Sequence, residues 1–279
     1  MSTLTSYASE AARDSAVPAA ANTGLCIFRT DTKAIEVSDG SVYLSYNNDG
    51  AVGDIPNLYQ LSLDGTDDHA EVTGSSEIQI SNPLTISAWI YLAANASFNN
   101  LRTIISWGSA AQGQGRFLGV TGTGNNLSFQ SYQSSTVSST SLSLNTWYHV
   151  AVTVTSGETK LYIDGSLDTT GSNTLNSFTY GKTHIGELYY SQTTAARHFA
   201  GKIDELALFN SVLGATEIAE IYNDRVPLNL NLDYENYSSS ANLKAWWRMG
   251  DGTETGSGTT IYDMSSNDSS SDDLTIIQG

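Results

Sequence analysis

Between residues 60 and 210, apolar and polar residues alternate in short runs, and turns containing Gly, Asn or Asp separate the runs. Leu61 and Leu63 flank a serine, and Val150, Val152 and Val154 are interleaved with alanine and threonine. A period of two places alternate side chains on one face, which is typical of half-buried β-strands. Many short strands with frequent turns predict an all-β protein, built as a sandwich or jelly roll of antiparallel sheets.

One segment has a helical period instead. Residues 214–223 predict a short helix, because Ile218, Ile221 and Tyr222 recur on one helical face. Thr216 or Ser211 is expected to cap the N-terminus of this helix. It is the one convincing helix in a chain that otherwise predicts strands and turns.

Composition along the chain divides it into four parts. Residues 1–23 are rich in Ala and Ser and form an arm that is expected to order only against a partner. Residues 24–57 predict a small β meander, which contains an Asp-Gly hairpin signal, followed by a turn-rich linker. Residues 58–226 form the main jelly roll, and residues 227–279 are a C-terminal extension.

The formal net charge of −17 at pH 7 limits the partners. Nucleic acid and anionic membrane surfaces would be repelled, so neither is expected as a partner. No apolar run approaches the roughly 20 residues that span a bilayer, so no membrane insertion is expected. The first residues lack the basic and apolar pattern of a secretory signal. Cys26 is the sole cysteine, which excludes an intramolecular disulfide and favours a small buried thiol.

Five segments, in their order and spacing, resemble a laminin G-like domain of the concanavalin A-like lectin/glucanase superfamily. They are residues 60–72, 84–90, 146–154, 160–165 and 199–209. The resemblance covers about residues 58–224. It implies a concanavalin A-like jelly roll of two packed antiparallel sheets. It does not imply a particular function, because one fold hosts many activities.

The resemblance also implies a calcium site. In the family, an acidic turn and an Asp-Glu strand approach each other and hold the ion, which corresponds here to Asp64, Asp67 and Asp204. Ca²⁺ takes about six to eight oxygen ligands, and an Asp-Gly-Thr-Asp turn offers both carboxylates and carbonyls. Such an ion would be structural. The alternative is that Asp64 only forms the turn and that Asp67 and Asp68 are solvated.

The sequence predicts no catalytic constellation. A retaining glycosidase needs two carboxyl groups about 5 to 5.5 Å apart, and related glucanases carry them as Glu-x-Asp-x-x-Glu or a close variant within one strand. The chain has no such segment. His69, His149, His184 and His198 are scattered, and no Cys/His cluster for zinc is evident. We therefore expect a protein that is not an enzyme, and a glycoside hydrolase is the least favoured hypothesis.

Glycan binding is a further possibility. Tyr189, Tyr190, Arg197 and His198 lie on one predicted loop, where aromatic faces and polar donors occur together. A second loop, near residues 95–102, combines Asn, Phe and Arg. The alternative is that these residues form subunit contacts, since protein interfaces are enriched in Tyr and Arg.

All five tryptophans are predicted to be buried. Trp89, Trp107 and Trp147 lie within apolar alternation. Trp246 and Trp247 lie in a segment that resembles the opening of such a domain, although here it follows the domain. Because both need burial, we expect the C-terminal extension to complete the same sandwich. Pairing with another subunit and a truncated second repeat are the alternatives.

The leading functional hypothesis is a non-enzymatic bacteriophage virion protein on the exterior of the particle, either a capsid decoration or a tail-fibre subunit. The meander within residues 24–46 resembles modules near the ends of tail-fibre proteins. The arm is expected to anchor the chain to other virion proteins and to make it a homo-oligomer, by analogy a trimer. A calcium-dependent lectin or adhesin is the alternative. The two overlap, because a fibre can bind host glycans.

Overall fold

The computed structural model describes most of the chain from Tyr59 onward, together with the backbone of four earlier strands. The described ranges are 59–73, 77–93, 101–178, 181–190, 193–195, 197–249, 259–266 and 272–278. Most of the predicted arm and linker, and residues 95–100 of the second predicted glycan loop, lie outside these ranges.

The four early strands form a sheet of their own. They are β1 (Thr5–Tyr7), β2 (Cys26–Arg29), β3 (Ala34–Ser38) and β4 (Tyr43–Asn47), and they are hydrogen-bonded in that order. β1 is parallel to β2, whereas the other neighbours are antiparallel. A strand from the predicted arm therefore lies beside the predicted meander.

The remaining strands form the main body of the protein. In chain order they are β5 (Leu61–Asp64), β6 (His69–Thr73), β7 (Leu84–Leu92), β8 (Arg102–Gly108), β9 (Gly115–Val120), β10 (Asn126–Gln130), β11 (Ser135–Ser141), β12 (Trp147–Thr155), β13 (Glu158–Ile163), β14 (Ser166–Gly171), β15 (Lys182–Ile185), β16 (Leu188–Tyr190), β17 (Thr193–Ala195), β18 (Ala200–Phe209), β19 (Leu243–Trp247), β20 (Thr260–Ile261) and β21 (Leu274–Ile277).

These strands build two large antiparallel sheets. The eight-stranded sheet has the order β11-β10-β9-β8-β15-β6-β21-β20. The seven-stranded sheet has the order β14-β13-β12-β7-β18-β19, and β5 also pairs with β18. β16 and β17 form a separate hairpin. The two-sheet arrangement confirms the predicted all-β, concanavalin A-like jelly roll.

The main core lies between the two large sheets. Ile86, Ile90 and Val152 of the seven-stranded sheet are fully buried in the same cluster as Ile105 and Leu118 of the eight-stranded sheet. On β7 and β12 these apolar residues alternate with residues of the opposite face, as the period of two requires. The alternation in the sequence thus decides which face of each strand enters the core.

A second apolar cluster covers the outer face of the seven-stranded sheet. Ala207 and Phe209 project from β18 into this cluster, where they meet Leu228, Leu230 and residues of the helix. The covering segment between the helix and β19 is mostly irregular, with short turns. The domain therefore has three layers over part of its area, namely two sheets and an outer helix-and-loop layer.

The single α-helix among the described residues, α1, spans Ala215–Tyr222. Neither predicted capping residue is correct, because Gly214 is the N-cap and its N–H donates to Oε2 of Glu217 at 2.9 Å. Ile218 and Ile221 are buried against the sheet, as predicted. Within the described part of the chain, no helix is long and apolar enough to cross a membrane.

The C-terminal extension contributes strands to both large sheets. β19 pairs with β18, and β21 pairs with β6. Consecutive residues of β19 point to opposite faces, so Trp247 lies in the main core and Trp246 lies in the outer cluster. The indole N–H of Trp247 donates to the carbonyl of Asp272 at 2.8 Å.

Truncation of Trp247 tests this role of the extension. We expect Trp247→Ala to lower the free energy of unfolding by about 3–5 kcal/mol, because it leaves a cavity between the sheets and removes a buried hydrogen bond. Leu167→Ala is the control, since Leu167 is 50% exposed and its loss should cost about 0.5 kcal/mol or less. Urea unfolding of both variants measures the difference, and equal effects would contradict a core role for Trp247.

Candidate functional site

The strand register places two rows of aromatic and polar side chains on the outer face of the seven-stranded sheet. The rows, each crossing β12, β7 and β18, are Trp147–Tyr91–Lys202 and His149–Trp89–Asp204. Directly opposed side chains of neighbouring strands lie in contact. The Tyr91 and Trp147 rings are accordingly 5.7 Å apart, and the Lys202 ammonium lies 5.5 Å from the centre of the Tyr91 ring.

A β-bulge at Glu205 shapes one end of this surface. The pairing of β18 with β7 shifts between Asp204 and Ala207, and Glu205 has a left-handed backbone with φ of 47°. The bulge lies where one edge of β18 passes from pairing with β5 to pairing with β19. Bulges redirect side chains and interrupt pairing. Here the interruption leaves room for a cleft.

Glu205 is held by two partners from β19 and the residue after it. Its Oε2 accepts a hydrogen bond from the indole N–H of Trp246 at 2.6 Å, and its Oε1 lies 3.1 Å from Nε of Arg248. The Arg248 guanidinium also lies 5.2 Å from the centre of the Trp246 ring. All three residues are buried. The carboxylate of Glu205 therefore fixes the junction between β18 and β19.

An open cleft of about 340 Å³ lies beside the bulge, and we call it the aromatic cleft. It is lined by Tyr59, Gln60, Trp89, Trp147, Asp204, Glu205, Arg225 and Pro227. Tyr59 and Arg225 are exposed, whereas Asp204 is nearly buried. Interaction with the Tyr222 hydroxyl raises the pKa of the Arg225 guanidinium, which is positively charged at neutral pH. The cleft thus combines aromatic surfaces, a carboxylate and a cation.

His149 lies beneath the cleft, and its buried ring is not available there as a general base. Its side chain is buried, its Nε2 is 2.8 Å from the Ser87 hydroxyl, and its ring packs 5.5 Å from that of Trp89. Burial lowers the pKa of His149 to about 3. The residue is therefore neutral near pH 7, which agrees with its interpretation as a structural strand histidine.

One tryptophan is less buried than predicted. Trp107 is fully buried between the sheets, and its burial is confirmed. Trp89 is also buried, although on the outer face of the sheet, whereas Trp147 is only half-buried; both line the aromatic cleft. The alternation identified the strands correctly. It does not distinguish the core face from an outer face that is covered only in part.

The predicted calcium ligands are not brought together as a set. Asp64, Asp67 and Asp68 are close in one turn, with carboxylate oxygens within 4.8 Å of one another. Ala200 opposes Asp64 and Ile203 opposes Leu61, so Asp204 lies beyond the other end of β5. Asp64 accepts from the N–H of Thr66 at 2.7 Å, which is the hydrogen bond of a turn-forming aspartate. Asp204 does not fit a site at this turn, and calcium binding by the turn itself stays a prediction.

The predicted glycan loop lies on the other large sheet. The Tyr189 ring stacks on that of His184 at 4.3 Å, and Nε2 of His198 is 3.9 Å from Oε1 of Glu187. Arg197 is half-buried beside them in sequence, and its carbonyl accepts from the N–H of Thr103. The side chain of Tyr190 lies outside the described residues. On the second predicted loop, Arg102 is buried and donates to Asn125, so it is not available at the surface.

The sequence interpretation missed a cluster of histidines around one carboxylate. His69, His184 and His198 converge on Glu187, although they were described as scattered. His69 lies on β6 and His184 on the adjacent β15, so strand pairing joins positions more than 100 residues apart. The one local sequence signal for this cluster is the spacing of His184 and Glu187 across a glycine turn.

Residues 64–219 match the model of a family described as the concanavalin A-like lectin/glucanases superfamily, and this segment is more than half of the chain. The structure is similar to a candidate carbohydrate-binding protein from Bacteroides ovatus, with a TM-score of 0.58 and 16% identity over 88% of this chain and 68% of that one.

Two further solved structures are similar over a smaller part of the chain. One is CBM40 of the Ruminococcus gnavus IT-sialidase, with a TM-score of 0.47 and 16% identity over 61% of this chain and 100% of that one. The other is a heptameric SAP-like pentraxin from Limulus polyphemus, with a TM-score of 0.44 and 17% identity over 62% of this chain and 83% of that one. No curated protein sequence matches the chain. At these identities the similarity concerns the fold.

The low pKa of His149 predicts a pH dependence of stability. Because the unfolded chain binds a proton near pH 6.5 and the folded protein does not until about pH 3, this residue's contribution is complete above pH 6.5 and declines as the pH falls towards 3. Between pH 7 and pH 5 we expect the free energy of unfolding of the native chain to fall by about 2 kcal/mol more than that of the His149→Gln variant. Urea unfolding at each pH measures both, and parallel curves would contradict a neutral buried histidine.

Proposed function

Because the chain belongs to the concanavalin A-like lectin/glucanases superfamily, we propose that it is a non-enzymatic carbohydrate-binding protein whose sugar site is the aromatic cleft. The observation that carries this proposal is the placement of Trp89 and Trp147 beside Asp204, Gln60 and Arg225 in one open cleft. Sugar rings have apolar C–H faces and a rim of hydroxyl groups. They are bound where an aromatic surface lies next to hydrogen-bonding side chains.

The size and chemistry of the cleft support this assignment. A cavity of about 340 Å³ is within the usual range for small-ligand sites, which are largely apolar with a few polar groups. Asp204 accepts hydrogen bonds from hydroxyl groups, and Arg225 and Gln60 donate them. Arg225 is the exposed cation of the cleft, and the acidic residues Asp204 and Glu205 line the same cleft. Because the chain also has a net charge of −17, it repels polyanions, and a neutral saccharide is favoured.

The side chains of the cleft also support a binding role without catalysis. Glu205 is engaged by Trp246 and Arg248, so its carboxylate serves the strand junction. His149, with a pKa of about 3, is a poor general base at neutral pH. A glycosidase would need an acid and a nucleophile or base facing the sugar. Glu205 and His149 instead make internal contacts.

Substitution of Trp147 tests the cleft. We expect the native chain to bind one class of neutral oligosaccharide on a glycan array, and Trp147→Ala to weaken that binding about tenfold or more, because a stacking surface is lost. Trp147 is only half-buried, so the fold should be retained. Isothermal titration of the selected sugar gives the affinities.

The matched control for this test is Tyr189→Ala, which removes an aromatic ring from the originally predicted glycan loop on the other sheet. We expect it to leave sugar affinity unchanged. If Tyr189→Ala weakens binding and Trp147→Ala does not, the loop is the sugar site and the cleft assignment is wrong. If the array detects no saccharide, the proposed function itself is contradicted.

We further propose that the chain acts as an exterior structural protein of a bacteriophage particle, with the sugar site facing the host. The separate four-stranded sheet β1–β4 supports this, because it offers an attachment module distinct from the jelly roll. A single sheet has to bury its apolar face against another element, and we expect another subunit to supply that element. In this proposal the chain is a homo-oligomer, and a trimer is the expected copy number.

Removal of residues 1–57 tests this assembly role. We expect the full chain to be a defined oligomer, and the shortened chain to be a folded monomer that keeps its sugar affinity. Size-exclusion chromatography with light scattering measures the masses, and circular dichroism checks the fold. Monomers in both cases would contradict assembly through the N-terminal module, without affecting the proposed sugar site.

A further inference from the structure

The outer face of the eight-stranded sheet contains a buried histidine–carboxylate cluster that the proposed sugar site does not use. The Oε2 atom of Glu187 lies 2.9 Å from Nδ1 of His184 and 3.6 Å from Nε2 of His69. The Oε1 atom of Glu187 lies 3.9 Å from Nε2 of His198. His184 and Glu187 are almost completely buried, whereas His69 and His198 are slightly exposed and give the cluster access to solvent.

The hydrogen bonding of His69 leaves a lone pair facing Glu187. Nδ1 of His69 is 3.1 Å from the carbonyl oxygen of Asp67, and a carbonyl can only accept, so Nδ1 carries the proton. In the neutral ring, Nε2 is then an acceptor. It faces the carboxylate of Glu187, which is also an acceptor, at 3.6 Å. A proton on Nε2, or a cation between the two atoms, would relieve this unfavourable pairing.

His184 has a similar conflict, because each of its two nitrogens faces a carboxylate. Nδ1 faces Glu187 at 2.9 Å, and Nε2 faces Oε2 of Glu71 at 3.3 Å. A neutral imidazole has one N–H, so it can donate to only one of these two carboxylates. A cation bound at Nδ1 would satisfy Glu187 and would allow Nε2–H to donate to Glu71. An imidazolium would do the same with a second proton.

The fold holds the backbone of these residues in place before any ligand is bound. The positive φ of Gly186 turns the chain so that Glu187 lies back over His184. The Ser106 hydroxyl donates to the carbonyl of Glu187 at 2.8 Å and accepts from the N–H of Tyr189 at 2.9 Å, which fixes this turn to β8. The backbone of the site is thereby fixed, whereas the His69 and His184 rings, which are stacked with centres 5.0 Å apart, have to turn for both nitrogens to face one ion.

We propose that His69 Nε2, His184 Nδ1 and the carboxylate of Glu187 bind a divalent transition-metal ion of the zinc type, with His198 Nε2 as the fourth ligand. The site joins β6, β15 and the segment before β18. It is a structural site, because it fastens the Tyr189 hairpin to the sheet. It is independent of the aromatic cleft, which lies on the other sheet.

The donor set and its spacing select this class of ion. Imidazole nitrogen suits zinc, copper and nickel, whereas calcium and magnesium take oxygen ligands. Tetrahedral zinc with ligand distances of about 2.0–2.1 Å keeps its donor atoms about 3.3 Å apart. The separations of 2.9 and 3.6 Å around Glu187 are within a few tenths of an ångström of this value. His69, His184 and Glu187 place their donor atoms within 4.8 Å of one another.

Metal-bound histidines usually donate their other N–H to a carbonyl or a carboxylate. For His69 this partner is present, namely the carbonyl of Asp67. For His184, Oε2 of Glu71 lies 3.3 Å from Nε2 but is not hydrogen-bonded to it, and metal binding at Nδ1 would place the proton on Nε2, where it can be donated to Glu71. Lys182 in turn holds Glu71 at 2.7 Å.

Zinc titration of the full chain tests the proposal. The protein is prepared without a histidine tag, stripped with a chelator, and titrated with ZnCl₂ by calorimetry. We expect one ion per chain with a dissociation constant of about 10 µM or lower. His69→Ala should weaken binding at least tenfold, and Glu71→Gln should weaken it about 10- to 100-fold as an outer partner. Asp64→Asn is the control, because it removes a carboxylate from the acidic turn and retains the oxygen that accepts from Thr66; it should bind zinc as the native chain does.

A second measurement on the unmodified chain covers the case in which the variants do not fold. Long-range ¹H–¹⁵N spectra at pH 7 report each histidine nitrogen separately. Zinc should shift Nε2 of His69 and Nδ1 of His184 and leave His149 unchanged. The proposal is overturned if zinc does not bind, if the Asp64→Asn control loses binding instead, or if the spectra show imidazolium rings that zinc does not alter.

Discussion

The bulge at Glu205 is the constraint on which both sheet pairing and the candidate sugar site depend. Before it, Ile203 enters the main core and Asp204 faces outward; after it, Leu206 enters the core and Ala207 faces outward. Without the extra residue the alternation would be out of phase across β18, because a shift of one residue exchanges the two faces. The carboxylate of Glu205 also joins β18 to β19, because Trp246 and Arg248 of the C-terminal extension both donate to it. Packing, the C-terminal extension and the cleft thus share one local feature.

Both candidate sites arise in the same physical way, from side chains that strand register brings together on an outer sheet face. On the seven-stranded sheet, the partners of Trp89 on neighbouring strands are His149 and Asp204. On the eight-stranded sheet, the partners of His184 are Glu71 and Ser106. The inner faces are occupied by apolar residues that the sandwich requires, so chemistry in this fold is confined to the outer faces and the loops.

The sequence was sufficient for the strands, the sandwich and the helix, because each depends on a local period. It was insufficient where register decides. The family resemblance implies that Asp204 approaches Asp64, but the pairing of Ile203 with Leu61 separates them along β5. His69 and His184 are far apart in the sequence, and only the pairing of β6 with β15 makes them neighbours. The parity of Ala70 and Ile185, which both face the core, places His69 and His184 on the outer face but does not fix the register between the two strands.

The acidity of the chain has opposite consequences at the two sites. A field from a net charge of −17 repels anions and attracts cations. In the aromatic cleft, Arg225 lies near Asp204 and Glu205, so a neutral ligand has the smallest electrostatic cost. In the histidine cluster, Glu187 and Glu71 both face His184, and a bound cation relieves the repulsion between them. The cluster is also mostly buried, where charges are screened less than at the surface. The same composition therefore favours an uncharged ligand on one sheet and a metal ion on the other.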